Sequence, residues 1–401
     1  MAAPRVHFRA GFAVQDITPD LSQGPVELTG FVVREQPALA VRDPLLATAL
    51  VLGGADQEPV ALVALDTCIV GEAALARILA ACPLPPERVL VHASHTHATP
   101  GLYRLVGCGE MSGGYVEFVA ERVGRAVRQA LELVGPCRVG WGRLALPAAP
   151  WRNRREAGGP TDPRVQILKI ERADSTRTPV CALWSVPCHP VVLGSRGREV
   201  SSDLVGEVRR RLPWPSLFVQ GFAGDQNPRA LGEEGLGVWG PVAEAVAQLW
   251  SATPTAPAGW WGLERRSLML PRGRGDPVAN LPVEGRPALA MRAWAAEIAR
   301  PGEAIPPSAA ELTVLRIHGG SIAFWPGEPH VRHALDLPPD CLAVGHTGAS
   351  LGYIPDEQAY PRGGYEVDVA HRYYGFPSAL APEAGPALRA ATAEMLAALG
   401  R

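Results

Sequence analysis

The sequence predicts an α/β fold in which mixed β-sheets are flanked by helices. Short apolar and β-branched runs bounded by Gly, Pro and Asp indicate buried strands, and the first clear ones are Ala47–Leu52, Val60–Leu65 and Val89–His92. Between them lie segments whose apolar residues recur three and four positions apart, the pattern of a helix with one buried face. These two patterns alternate over most of the 401 residues, which is the third observation that favours this class.

The individual elements follow from the same patterns. The first helix is predicted at Glu72–Cys82, which is rich in Ala and Leu, and the clearest one is Tyr115–Val134, whose apolar residues form a stripe that we expect to face the core. Further strands are expected at Val165–Ile170, Val180–Ser185, Ser216–Gln220, Leu312–Ile317 and Ser321–Trp325. Further helices are expected near Leu204–Leu212, Val242–Trp250, Pro287–Ala299 and Pro386–Leu399.

We expect residues 1–401 to form a single domain, although the length alone also allows two ordinary ones. Only Pro271–Pro287 resembles a long irregular connection, and it is too short and too embedded to separate two domains. The 43 glycines and 40 prolines are spread between apolar segments, which indicates many turns in an ordered fold.

The composition excludes several classes of partner. A formal net charge of -2 offers no basic field for nucleic acid or for an anionic membrane surface. The chain has neither an N-terminal export signal nor an apolar run of about 18 residues, so we expect a cytoplasmic protein with a small-molecule substrate. The seven cysteines are scattered and form no CxxC pair, which favours reduced thiols over disulfides.

Four of the ten histidines lie in two short segments that each follow a predicted strand. In VLVHASHTHATPG, His95 and His97 are two positions apart, so both can face one cavity where the chain leaves the sheet. His189 precedes a proline at the end of another strand, and Glu328 follows a Pro–Gly turn after a third. Zinc binds three or four such ligands, and two histidines with one glutamate would meet that need.

Each of these residues also has a simpler interpretation. A lone histidine at a strand end is more often hydrogen-bonded or exposed than bound to a metal, and the HExxH zinc motif is absent. Four other histidines lie in polar or loop contexts and are predicted to be at the surface: His7, His318, His333 and His371. The sequence gives no assignment for His330 and His346.

The order of the motifs resembles that of the neutral, non-lysosomal ceramidases, which are zinc-dependent amidases that cleave the N-acyl bond of ceramide. The similar blocks extend from about Phe8 to the final helix, and SHTHATPG is similar to the family's THTHSGPG. The eight blocks are AGFAVQDITPD, DPLLATALVL, VALVALDTCIV, SHTHATPG, CHPVVLG, GDQNP, PGEPH and LGYIPDEQAYPRGGYE. The resemblance implies a four-layer α/β/β/α sandwich.

The resemblance also implies roles for single residues. The zinc ligands would be His95, His189, Glu328 and Tyr353, with one Zn²⁺ per chain. A phenol can serve as a ligand because a nearby divalent cation makes loss of its proton feasible. His97 resembles a residue that contacts the scissile amide, and Tyr365 resembles a second active-site tyrosine; both could donate a hydrogen bond to a developing oxyanion. Arg154 corresponds to the family's active-site arginine, but the Ser-Pro that follows it in the family is absent here.

One difference from the family concerns the attacking group. Asn227 stands in GDQNP where the family has a serine that has been assigned a nucleophilic role, and an amide cannot form an acyl-enzyme. The attacking group would then be a zinc-activated water, with Asn227 as a hydrogen-bond donor. Asp225 would either orient a histidine ligand or accept the water's proton, or else only cap the turn before Pro228.

The substrate is left open by these residues. Ceramidases carry a further C-terminal immunoglobulin-like domain that we do not expect in this protein, so the resemblance implies neither a ceramide substrate nor membrane docking. The leading hypothesis is a zinc-dependent hydrolase of an amide bond in a small soluble substrate. The alternatives are a zinc-dependent esterase or lactonase and a catalytically inactive, metal-stabilised binding protein. The Gly-rich segment Gly107–Tyr115 could line or gate the pocket, and the oligomeric state stays open.

Overall fold

The computed structural model describes residues 8–54, 57–258, 260–276, 278, 281–282 and 284–400. The strands in chain order are β1 (Arg9–Asp16), β2 (Ala40–Val41), β3 (Leu46–Gly53), β4 (Val60–Leu65), β5 (Val89–Ala93), β6 (Gly135–Ala145), β7 (Trp151–Asn153), β8 (Arg164–Arg172), β9 (Pro179–Ser185), β10 (Glu199–Val200), β11 (Ser216–Phe218), β12 (Gln226–Pro228), β13 (Ala256–Pro257), β14 (Trp261–Leu270), β15 (Ser308–Ile317), β16 (Gly320–Phe324), β17 (Glu328–Pro329), β18 (Cys341–Val344) and β19 (Tyr353–Ile354). The α-helices are α1 (Glu72–Ala81), α2 (Gly113–Glu132), α3 (Leu204–Arg209), α4 (Gly232–Gly237), α5 (Gly240–Ala252), α6 (Gly285–Glu297), α7 (Val331–Leu335), α8 (Ala370–Tyr373) and α9 (Ala384–Ala398), and a π-helical turn, Tyr365–Val369, precedes α8.

Two mixed sheets form the centre of the molecule. The larger has the strand order β11-β9-β8-β6-β1-β3-β4-β5, with β13 also paired to β6. Its β4–β5 and β9–β11 pairs are parallel, and its other pairs are antiparallel. The smaller has the order β14-β15-β16-β18 and is parallel only between β16 and β18.

Helices cover the outer faces of both sheets, which gives four layers. Helices α1 and α2 pack on one half of the large sheet, and α3 and α5 pack on the other half. Helix α9 covers the outer face of the small sheet. Apolar side chains from both sheets meet between them, including Leu50, Leu62, Leu315 and Phe324. The predicted α/β/β/α arrangement is confirmed.

The elements predicted from the sequence are present, with boundaries shifted by a few residues. The apolar stripe of α2 is buried as expected, and burial of each such valine contributes about 1.5–3 kcal/mol. Among the strands longer than three residues, β1, β6, β14 and β18 were not predicted, and neither were the short strands other than β11. Strand β14 contains Glu264, Arg265 and Arg266 and is only half-buried, so it lacks the continuous apolar run that marks a buried strand.

Two histidines predicted to lie at the surface are buried, and those predictions were wrong. His333 is fully buried against α9, where Arg389 donates a hydrogen bond to its ring. His371 lies 3.2 Å from the carboxylate of Asp276 and packs against an aromatic ring. In both cases the partners that bury the ring are distant in sequence, so the polar neighbours along the chain were misleading. His318 is exposed as predicted, and His7 lies outside the described residues.

Three further predictions concern the chain as a whole. All seven cysteines are free thiols, as expected. In the described part of Pro271–Pro287 the chain is irregular up to Glu284, with isolated bridges from Arg272 to Leu380 and from Arg274 to Ala304, and its last three residues begin α6. Among the residues with described positions, no helix has the length and apolar character needed to cross a membrane. A single domain over residues 1–401 stays a prediction.

Candidate metal centre

His95 lies just past the end of β5 with an unusual backbone conformation. Its φ is 71°, a region that costs a non-glycine residue about 1 kcal/mol or more. Its backbone N–H donates to the carbonyl of Thr67 at 2.8 Å, which holds this conformation. Its ring Nδ1 donates to the carbonyl of Cys68 at 2.8 Å. Because Nδ1 is committed to this carbonyl, Nε2 is the ring nitrogen that faces the centre of the site.

His189 follows β9 and reaches the same point from the other half of the large sheet. Its backbone N–H and its ring Nδ1 both donate to the carbonyl of Gln226, at 3.1 and 3.0 Å. With Nδ1 committed to this carbonyl, Nε2 is the nitrogen that faces the centre, and this atom lies 3.0 Å from Oε2 of Glu328. Both histidines that we predicted as ligands thus have their Nδ1 atoms fixed by backbone carbonyls, as metal-binding histidines commonly do.

Glu328 and Tyr353 lie directly opposite each other in a short parallel ladder. Strands β17 and β19 pair with the register Glu328 to Tyr353. Their close approach requires glycine at the preceding position, because Gly327 has a φ of 82° and a Cβ there would lie 2.3 Å from the carbonyl oxygen of Gly352. Oε2 of Glu328 lies 3.3 Å from Nε2 of His95, so one carboxylate oxygen contacts both imidazoles.

Arg154 joins Tyr353 to the other predicted site residues. Its Nη2 donates to the phenol oxygen of Tyr353 at 3.0 Å, and its Nη1 donates to Oδ1 of Asn227 at 3.4 Å. Its Nε donates to Oε1 of Glu366 at 2.9 Å, which fixes the plane of the guanidinium. The ring of Tyr365 lies edge-on to that of Tyr353, 5.8 Å between centroids. The structure therefore brings these four predicted residues together.

The electrostatics of the centre keep the carboxylate ionised. Burial alone would raise the pKa of Glu328, but the charge of His95 and the contact with the His189 ring hold it well below its usual value. Burial would likewise lower the pKa of His95, and the Glu328 carboxylate instead raises it to about 10. Burial raises the pKa of Tyr353 well above its usual value, and the positive charge of Arg154 opposes that shift.

His97 lies at the edge of this cluster. Its Nε2 is 3.3 Å from Nε2 of His95, and the two rings are perpendicular. On its other side the ring packs against Phe31 and Gly30. Gly30 has a φ of 97°, and a Cβ at this position would lie 2.4 Å from Nδ1 of His97. The loop residues Gly30 and Phe31 thus fix the position of the His97 imidazole.

Asp225 is buried but does not contact a histidine of the centre. Its Oδ2 accepts from Asn153 Nδ2 at 2.7 Å, and its Oδ1 accepts from the backbone N–H of Val331 at 2.8 Å. The side chain therefore links β7 to the start of α7, and neither oxygen accepts from the turn before Pro228. Asp225 directly precedes Gln226, whose carbonyl accepts the two hydrogen bonds from His189.

His346 belongs to the centre although no sequence motif indicated it. Its ring is stacked on that of His95 with centroids 4.0 Å apart and planes 22° from parallel. It is buried and has a φ of 50°. One donor atom from each of His95, Glu328 and His346 lies within 4.8 Å of the others. The surrounding sequence, Gly345-His346-Thr347-Gly348, has no periodicity or ligand spacing that could have singled this residue out.

Three cavities can be compared with the predicted site residues. Two of them, with volumes of about 550 Å³ each, share Arg154, and one of the two also contains Asn227 while the other contains Tyr365. A third, of about 780 Å³, is lined in part by Glu110 and Tyr115, and its walls contain none of the candidate residues. The Gly107–Tyr115 segment therefore lines a cavity apart from the metal centre.

The fold is similar to that of solved ceramidase structures. A neutral ceramidase from Pseudomonas aeruginosa superposes with a TM-score of 0.75 and 16% identity over 97% of this chain and 74% of that chain. A second structure, described as a ceramidase complexed with C2, superposes with the same TM-score and identity over 96% and 74% of the two chains. Comparisons with family models and with curated protein sequences found no match. The chain thus has a ceramidase-like fold, and the predicted resemblance is confirmed at that level.

Proposed function

We propose that the protein is a zinc-dependent hydrolase that cleaves an N-acyl amide bond in a small soluble substrate. The proposal rests on the convergence of Nε2 of His95 and Nε2 of His189 on Oε2 of Glu328, at 3.3 and 3.0 Å, inside a buried site. Two imidazoles and a carboxylate are a typical ligand set of catalytic zinc. The ceramidase-like fold supports an amide as the scissile bond. Seven free thiols support the cytoplasm as its compartment.

The residues present fit a zinc ion. His95 and His189 would bind through Nε2, since their Nδ1 atoms are committed to backbone carbonyls, and Glu328 would bind through Oε2. Tyr353 would supply the fourth ligand, and the guanidinium of Arg154, 3.0 Å from its oxygen, would stabilise the phenolate. When bound, zinc would polarise the scissile carbonyl and lower the pKa of an attacking water.

The neighbouring polar side chains would position the substrate. Oδ1 of Asn227 accepts from Arg154, so the amide group of Asn227 is left to donate to the substrate's carbonyl oxygen. The hydroxyl of Tyr365 is a second donor, because its side chain is 44% exposed and lines one of the cavities at Arg154. Both donors would stabilise negative charge that develops on that oxygen.

His97 would act as a neutral hydrogen-bonding group. Burial, followed by the charge of His95, lowers the pKa of His97 well below its usual value, so the ring is neutral at neutral pH. Its Nδ1 is buried and has no hydrogen-bond partner among the described residues. Nε2 of this neutral imidazole faces the centre, 3.3 Å from Nε2 of His95, whereas Nδ1 packs against Gly30. Nε2 is therefore the atom that would donate to the amide of the substrate.

Metal analysis of the protein purified without added metal is the first test. We expect about one equivalent of zinc in the wild type, and a large loss in His95→Ala. The matched control is His318→Ala, because His318 is exposed and lies away from the centre. Less than a few tenths of an equivalent of any transition metal in the wild type, or equal zinc in wild type and His95→Ala, would overturn the site.

Turnover on matched N-acyl amide and ester substrates is the second test. We expect zinc-dependent amide cleavage and no covalent adduct in rapidly quenched reactions, because Asn227 cannot form an acyl-enzyme. A trapped acyl-enzyme would rule out direct attack by water. Full zinc occupancy with no turnover of any acyl substrate would indicate a binding protein and refute the hydrolase.

A further inference from the structure

Arginine is the most frequent charged residue in the walls of the two cavities that share Arg154. One of them contains Arg152, Arg154, Arg155 and Arg229 against a single carboxylate, that of Glu156. The other contains Arg154, Arg155 and Arg362 against Glu156 and Glu366. Together the walls hold five arginines and two glutamates, in a chain whose formal net charge is -2. The walls of these two cavities therefore carry more positive than negative side chains, while the whole chain is slightly negative.

Pairing with glutamate accounts for only part of this charge. Arg154 and Arg155 both contact the carboxylate of Glu366, and Arg362 donates to Glu156 at 2.7 Å. These three arginines are neutralised at least in part.

Two arginines of these walls have no carboxylate partner in the described parts of the chain. Arg229 donates through Nε to the backbone carbonyl of Ala149 at 3.0 Å, which leaves its terminal nitrogens available. Arg152 is exposed and makes no side-chain hydrogen bond or ion pair with any residue that the structure describes.

The backbone places both of these arginines on the same side as Asn227. In the antiparallel β7–β12 pair, Arg152 lies directly opposite Asn227, so the two side chains share one face. Arg229 follows Asn227 by two positions, and its backbone N–H donates to the carbonyl of Pro150, which continues the pairing. Side chains two apart on a strand share a face, so Arg229 projects beside them.

We propose that the substrate carries an anionic oxygen group, a carboxylate or a phosphate, which Arg152 and Arg229 bind. This inference rests on the proposed function, because it assigns a substrate class to the same site. Guanidinium groups match carboxylate and phosphate oxygens with paired hydrogen bonds, and a cleft of one charge concentrates ligands of the opposite charge. A cavity of about 550 Å³ suits a small molecule. Leu231 is the one large apolar side chain in that wall, so a lipid chain would find little apolar surface there.

The test measures binding of matched N-acyl probes to the metal-loaded protein by titration calorimetry. N-acetyl-L-alanine is compared with N-acetyl-L-alaninamide, and N-acetylphosphoethanolamine is compared with N-acetylethanolamine. We expect the charged member of at least one pair to bind about tenfold or more tightly than its neutral partner, and the pair that shows it identifies the group. Raising the salt from about 20 to about 200 mM should reduce this preference.

The variants are Arg152→Gln, Arg229→Gln and the double variant. The double variant should lose the charge preference, while the control Arg77→Gln, an exposed arginine on α1, should keep it. Equal binding of charged and neutral probes, no detectable binding of either charged probe, or a preference that survives in the double variant would overturn the inference. Because binding is read without turnover, a retained charge preference in a protein that cleaves nothing would refute the proposed function alone.

Discussion

Protonation of the buried His333 is expected to destabilise the fold in mild acid. Its Nδ1 accepts from Nη1 of Arg389 at 2.6 Å, and its Nε2 donates to the carbonyl of Pro355 at 3.3 Å. These two hydrogen bonds satisfy a neutral imidazole and leave no place for a second proton. Burial, followed by the charge of Arg389, lowers the pKa of His333 from 6.5 to about 4. The ring makes no hydrogen bond to a proposed ligand among the described residues, and the comparison below does not require a metal.

The size of the effect follows from the two pKa values. Since the pKa of His333 is lower in the folded chain than in the unfolded chain, its contribution to stability is complete above about pH 6.5. It is lost as the pH falls through about 4, because the unfolded chain then binds the extra proton. A difference of about 2.5 pKa units corresponds to about 3 kcal/mol in the free energy of unfolding between pH 7 and pH 4.

The variant His333→Asn isolates this contribution. The amide oxygen of asparagine can still accept from Arg389, but it does not titrate. Unfolding free energies of both proteins are measured with denaturant at about pH 7.5 and about pH 4. The wild type should lose about 3 kcal/mol more than the variant over this range, since other acid-sensitive groups such as His92 act in both proteins and cancel. An equal loss in the two proteins would show that His333 is protonated in the fold and would refute the reasoning.

Three other changes test the geometry of the centre and the core. His346→Ala removes the ring that is stacked on His95 and should weaken zinc affinity about tenfold in a chelator competition. An unchanged affinity would contradict a role of His346 at the centre. Gly30→Ala places a Cβ 2.4 Å from the His97 ring and should lower the free energy of unfolding. The loss should be about 2 kcal/mol larger than that of the control Gly24→Ala, because φ is also positive at Gly24 but no atom lies within 4 Å of a Cβ there. Leu315→Ala, between the sheets, should cost about 3 kcal/mol in denaturant unfolding, and a loss below about 1 kcal/mol would contradict its place in the core.

Three of the four proposed ligands could be expected from local sequence, because each follows a recognisable strand. His95, His189 and Glu328 come after the apolar runs of β5, β9 and β16, although these strands are not neighbours in the sheets, so their convergence could not be read from the sequence. Tyr353 had no such signal. Its strand is only two residues long and exists because it pairs with the strand of Glu328, so only the resemblance to ceramidases nominated it.

Features that depend on distant partners were the ones that local patterns missed. His346 joins the centre through a ring stack, and His333 is buried by a helix more than fifty residues further along the chain. Periodicity along a segment reports which face is apolar, but it carries no information about which remote side chain will satisfy a polar group. For the same reason Asp225 could not be assigned from sequence, since its role depends on Asn153 and on the start of α7.

The proposed ligands are spread from residue 95 to residue 353, and this wide spacing ties metal loading to folding. An unfolded chain cannot hold four such distant side chains around one ion, so the ion would bind the native state alone. Each tenfold excess of free zinc over its dissociation constant would then raise the free energy of unfolding by about 1.4 kcal/mol. The melting temperature of this protein would accordingly report the zinc concentration of its surroundings.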